Sequence, residues 1–303
     1  MRALLVTAAL ALSAGWAGTA SAQAPHWESL VPDSPPAGPQ PVPLPGCKKA
    51  SLKCVDRQLR RMRGLQAAFG CDHRGVFATT YLTLTRELRR EAARADSAFR
   101  WPNYLYREIA LFASYYYRAL RRHEAGLRVP PAWEIALDTA RDGEVNAGQD
   151  MLLAISAHVQ SDMPFVLAQL GLVDRRGRSR KPDHDFANEI LERAYQDVID
   201  AVAERYDPLL RTTNADWNPF EDAAALEMVR GWRENVWRNA ERLLQARTPA
   251  ERAEVAASIE DAAAAWAQAM AAPQQPGYRA TRAAYCAAGP AGKPPNTVAS
   301  RST

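Results

Sequence analysis

The chain has 303 residues, 24% of them charged, and a formal net charge of +4 at neutral pH. That length supports a large core. So small a positive balance argues against a nucleic-acid partner, which calls for a concentrated basic face. Most basic residues are interleaved with acids, as in Arg86-Glu87-Leu88-Arg89-Arg90-Glu91, the pattern of solvated helix faces carrying i,i+4 pairs.

Residues 1–22 have the form of a secretory signal: Arg2, an apolar stretch from Ala3 to Trp16, and the small-residue site Ala20-Ser21-Ala22. The expectation is an exported protein, periplasmic or extracellular, of about 280 residues after cleavage. No other stretch reads as long and apolar enough to cross a bilayer. Residues 23–46 are Pro-rich and read as an extended arm. From there the apolar residues recur at helical period and no run alternates as strands do. Helices are expected at 55–69, 73–95, 103–125, 130–142, 147–171, 183–206, 219–246 and 249–271. Residues 287–303 read as a frayed tail. The fold class is therefore all-α: a single-domain bundle of about eight helices over residues 47–286, its central helix kinked near Pro164.

Four cysteines in an exported chain suggest two disulfides, with three connectivities to choose from. A helix over 55–69 puts Cys54 and Cys71 on the order of 25 Å apart, and a disulfide needs Cα atoms within about 7 Å. Pairing Cys47 with Cys71 would pull the connector nearly taut along that helix. Cys47–Cys54 with Cys71–Cys286 is the best remaining pattern.

The most informative residues lie on the expected helix 147–171. One stripe runs Met151, Leu152, Ile155, His158, Val159, Asp162, Phe165, Val166. His158 and Asp162 fall four apart on the face that the apolar residues claim for the core. A buried imidazole and carboxylate are costly unless paired, hydrogen-bonded or bound to an ion. Lys181-Pro182-Asp183-His184-Asp185-Phe186 follows directly. Asp183 reads as an N-cap, and His184 with Asp185 exceeds what capping needs. If the two helices pack antiparallel, this start lies beside Asp162. Arg233 and Trp237 flank a core stripe in a later helix, and Tyr117 belongs to an aromatic run that turns toward His158. His158, Asp162, Asp183, His184, Asp185, Arg233, Trp237 and Tyr117 are thus the candidate pocket. Cys71-Asp72-His73 reads as a cap with a surface histidine. The run Arg175-Arg176-Gly177-Arg178-Ser179-Arg180-Lys181 reads as an exposed connection first and an anion-binding lip second.

Two functions fit this pattern. In one, the polar pair fixes the packing of a binding or structural module, whose partner is a small-molecule or lipid-like ligand. In the other, His158, Asp162 and Asp185 (or His184) hold a divalent ion such as zinc for a hydrolase acting on phosphoester or lipid-like substrates. The chain has no Gly-x-Ser-x-Gly, P-loop or dinucleotide fingerprint.

Ser156-Ala157-His158-Val159-Gln160-Ser161-Asp162-Met163-Pro164 resembles the motif Asn-Ala-His-Ile-x-x-Asp-Leu-Pro of an uncharacterised family of exported bacterial helical proteins. Phe77 to Tyr81, Phe112 to Leu120, Val129 to Trp133, Lys181 to Asp185 and Trp232 to Leu243 are similar to it as well, so the resemblance spans roughly residues 50 to 245. Ser156 stands where that family has Asn. The resemblance implies an all-helical fold and no particular activity. His158, Asp162 and Pro164 also weakly resemble the metal helices of zinc-dependent phospholipases C and P1-type nucleases. Those enzymes spend many histidines on three metals, whereas this chain has five histidines in all.

Overall fold

The computed structural model describes residues 47, 49–213, 219–272 and 277–289. The expected signal at 1–22 and arm at 23–46 lie outside the described residues, as does the tail from residue 290 onward. Besides a single turn at Leu210–Thr213, the helices are α1 (Leu52–Phe69), α2 (Val76–Ala92), α3 (Pro102–Glu124), α4 (Pro131–Asp142) and α5 (Ala147–Leu170). They continue with α6 (Lys181–Arg205), α7 (Pro219–Gln245), α8 (Pro249–Met270) and α9 (Tyr278–Ala288). The described residues contain no β-strand, only an isolated bridge from Val173 to Ser179. The fold is all-α.

Local signals explain most boundaries. Asn146 accepts the Gln149 amide to start α5, and Thr248 with Glu251 forms a reciprocal capping box for α8. Pro131 occupies the first turn of α4, and Gly143 ends that helix at φ 70°, a left-handed conformation that favours glycine. His73–Gly75 forms a separate 3-10 turn ahead of α2, with Asp72 accepting the Arg74 amide. The helix α9 was not among the expected ones, and it takes in residues 287 and 288 of the expected tail.

Helix α5 is central: α2, α3, α4, α6, α7 and α8 all pack against it. It is the one described helix long and apolar enough to cross a membrane, contrary to the expectation of none. Of its most apolar window, 83% is buried inside the bundle, as befits a core helix. The irregularity expected at Pro164 takes the form of a π-helical segment, Ala157–Asp162, after which the helix runs on to Leu170. The Met163 amide reaches back five residues to the His158 carbonyl. A proline ring in a regular α-helix collides with the carbonyl four residues earlier, here that of Gln160, and the widened turn relieves this.

Disulfides link Cys47 to Cys54 and Cys71 to Cys286. The second ties α9 to the start of the 3-10 turn before α2.

Candidate functional site

His158 lies in the π segment and is 2% exposed. Its ring stacks flat on Phe112 of α3, with centroids 3.4 Å apart and planes at 6°. Phe77 and Tyr81 of α2 present ring edges at 5.2 and 5.0 Å, and Trp133 of α4 at 5.7 Å. Nδ1 is 2.8 Å from Oδ2 of Asp162. The Trp133 indole N–H donates to that same oxygen at 2.8 Å. Burial pushes the Asp162 carboxyl up to about 8, while the Trp133 hydrogen bond and the Arg118 charge pull it down. Burial also pushes His158 well below its ordinary value. Both shifts have one cause: burial disfavours the charged form of each partner. His158 Nε2 is buried and has no hydrogen-bond partner.

The imidazole belongs to the lining of a partly open cavity of about 310 Å³ between α2, α3, α5, α6 and α7. That volume lies at the lower end of small-molecule sites, which run about 300–1,000 Å³. The wall is overwhelmingly apolar, with Phe77, Leu84 and Leu88 from α2, Leu105, Ile109 and Phe112 from α3, and Met151, Ile155 and Met163 from α5. Leu191, Val198, Leu226 and Val229 close it from α6 and α7. Its polar members include His158, Tyr81, Glu108 and Arg233. Burial raises Glu108 to about 7, with the Arg233 charge opposing the shift. On its other side, Asp162 borders a second hollow of about 450 Å³ shared with Arg118, Arg122 and Glu260.

The structure divides the candidate residues into three groups. His158 and Arg233 line the cavity, and Asp162 supports His158 from behind. Asp183, His184, Asp185 and Trp237 are instead spent on joining helices. Asp183 lies inside α6, whose first residue is Lys181, and its carboxylate accepts the Arg100 and Trp101 amides at 2.9 and 2.8 Å. It therefore secures the start of α3 rather than capping its own helix. His184 donates from Nε2 to the Arg233 carbonyl at 3.1 Å and packs against Trp237, with centroids 5.4 Å apart. Arg233 returns bonds to the His184 carbonyl and to Asn188, both at 2.6 Å. The Trp237 N–H reaches Glu241 at 3.1 Å. Tyr117 turns away from His158: its hydroxyl donates to the Gln58 carbonyl at 3.4 Å, and Arg61 lies 3.9 Å over its ring. Its neighbours Phe112 and Tyr116 on α3 face the imidazole instead.

The proposed metal set of His158, Asp162 and Asp185 does not assemble. Asp185 accepts the buried Lys181 ammonium at 2.9 Å, and that ammonium also meets Glu234 at 2.8 Å. Among the described residues, no three His, Cys, Asp or Glu side chains come together as metal ligands. The basic run divides as well. Arg175, Arg176 and Arg178 are exposed, while Arg180 lies over the Tyr104 ring and donates to the Leu170 and Gly171 carbonyls. Lys181 is buried in the ion cluster.

Sequence reasoning missed Glu108, although it falls in the stripe Leu105, Glu108, Ile109, Phe112 and so carries the same signal as His158. It also misplaced His73. That ring is buried and meets Asp150 at 2.6 Å, making a second histidine–carboxylate pair at the opposite end of α5. Burial pushes His73 down to about 3 and Asp150 well up.

The model of the family of unknown function DUF5995 matches residues 55–273, well over half of the chain. The chain belongs to that family. Comparison with curated proteins and with solved structures returns no match. The matched span covers α2 through α7 and hence every element that walls the cavity.

Proposed function

We propose that this protein is an exported binding module that holds a small, largely apolar, lipid-like molecule in the cavity beside His158. The observation that carries this reading is about 310 Å³ of space whose wall is almost wholly aliphatic and aromatic. A core packed to ordinary protein density leaves few voids larger than a water molecule. The N-terminal signal pattern and the two disulfides support the exported part of the reading, because disulfides persist in oxidising compartments. Most of the ligand's affinity comes from apolar surface removed from water, at about 25 cal/mol per Å² before the costs of ordering.

Titration with the apolar dye N-phenyl-1-naphthylamine tests the reading. The expected result is saturable fluorescence enhancement at one site, weakened or lost in Ile155→Trp, whose ring intrudes on the cavity. Unsaturable enhancement, or saturable enhancement that Ile155→Trp leaves intact, overturns the assignment of this cavity as the binding site.

A further inference from the structure

Helix α1 carries a charge pattern that its own stability does not favour. Every exposed residue of α1 beyond Gly64, Ala67 and Ala68 is a cation: Lys53, Arg57, Arg60, Arg61 and Arg63. Cys54, Val55, Leu59 and Met62 are buried on the other side and hold the helix to the bundle. The helix has one acid, Asp56, and it pairs with Arg89 of α2. Elsewhere on the surface arginines stand beside acids, as Arg90 does with Glu87, Arg94 with Asp96 and Arg238 with Glu234. Along α1 the spacing sets cation beside cation: Lys53 by Arg57, Arg57 by Arg60 and Arg61, and Arg60 by Arg63. Like charges three or four positions apart weaken a helix. The helix dipole is opposed as well, because Lys53 lies in a first turn without an acid and the last turn holds no base. Among the described residues, Arg60 and Arg63 make no ion pair or hydrogen bond. On α2, partial burial and then the Arg63 charge push Arg86 below its ordinary value, so the cationic surface continues past α1.

An anion brought from outside relieves this repulsion. Four of the five cations are arginines, whose planar fork matches the oxygens of a phosphate. The face holds no aromatic ring on which a nucleic-acid base could stack, and no exposed amide or hydroxyl to read a base edge. As the outward side of a helix it is convex, with small residues between the charges. Its 18 residues extend about 27 Å, a line of charge that meets a flat surface along its length. The phosphates of a lipid bilayer form such a surface. With no large apolar side chain to insert, contact there is electrostatic and reversible.

We propose that the outward face of α1 docks this protein on an anionic phospholipid bilayer. Docking of this kind is independent of what the cavity beside His158 holds. Co-sedimentation of the full-length mature protein with phosphatidylcholine vesicles, with and without about one-third phosphatidylglycerol, tests it. Binding to the anionic vesicles alone is expected in about 0.1 M NaCl, where charges act over roughly 10 Å, and its loss in about 1 M NaCl, where they act over roughly 3 Å. Arg60→Gln combined with Arg63→Gln should weaken binding by at least about tenfold, since each basic residue at an anionic surface contributes on the order of fivefold. That variant should melt no lower than wild type, because it removes a repulsion between exposed groups, so lost binding would not reflect unfolding. Arg175→Gln combined with Arg176→Gln removes the same charge from an exposed connection outside α1 and should leave binding within about twofold. Equal sedimentation with phosphatidylcholine alone, undiminished binding by the α1 variant, or equal losses in the two double variants would each overturn the proposal. So would tighter binding to a short DNA duplex at the same salt, which would make nucleic acid the partner of this face.

Discussion

His158 owes its place more to its ring than to its charge. Stacked on Phe112 and edged by Phe77, Tyr81 and Trp133, the imidazole fills an aromatic niche, and its one satisfied nitrogen faces Asp162. Replacing it with alanine opens a void and strands the carboxyl. His158→Ala should therefore cost about 2–5 kcal/mol in urea unfolding. A variant as stable as wild type would refute the buried niche. Tyr81→Phe should behave oppositely, with stability at or slightly above wild type, because the deleted hydroxyl is unpartnered. A loss above about 1 kcal/mol would reveal a hydrogen bond that this geometry does not contain. The pair itself was legible because two polar residues interrupt an apolar stripe. The fates of Asp185 and His184 were not. Their partners depend on how α6 meets α7: Glu234 sits beside Lys181, and the Arg233 carbonyl faces His184. No local pattern in Lys181 to Phe186 encodes a neighbour roughly fifty positions away.

At the scale of elements, strong periodicity and cap residues marked the long helices to within a few residues. The exceptions have physical causes. Only the structure shows the π segment, because Pro164 signals a disturbance without saying how the backbone absorbs it. The helix α9 was missed because Arg279-Ala280-Thr281-Arg282-Ala283-Ala284 lacks large apolar residues. Polar and covalent ties hold it instead. Tyr278 donates to Asp207 at 2.6 Å, Tyr285 to the Glu204 carbonyl at 2.5 Å, and Arg282 to the Ala140 carbonyl at 3.3 Å, alongside Cys71–Cys286. That disulfide spans 215 positions, so it removes much chain entropy from the unfolded state. Cys286→Ala should cost about 5 kcal/mol in the chain-entropy account. It should also speed amide exchange over residues 278–288 relative to α5. Unchanged exchange in α9 would show that the polar ties alone dock it.

For the whole molecule, the notable feature is how many ionisable groups burial pushes toward their uncharged form, and they fix the sign of its pH dependence. Burial lowers His73, His158 and His184 in the fold, so the unfolded chain binds more protons than the native one below their ordinary value of 6.5. Their contribution to stability rises with pH up to about 6.5 and is then complete. Burial raises Asp162 to about 8, Glu108 and Glu260 to about 7, and Asp150 well above its ordinary value. For these the native state holds the extra proton, so their contribution falls from about pH 4 until the native carboxyl ionises. The two trends oppose each other below pH 6.5, and above it only the carboxyls act. The melting temperature should therefore decline between pH 6.5 and 8, with Asp162 alone contributing about 2 kcal/mol of the loss. Asp162→Asn removes the titration, and its amide oxygen in the place of Oδ2 still accepts from Trp133 and from a His158 Nδ1–H. Its melting temperature should be flatter than wild type over the same interval. If both proteins lose stability with the same slope, Asp162 is already ionised in the native state. A neutral His158 would then carry its proton on Nδ1, donating to the carboxylate, and leave Nε2 as an acceptor.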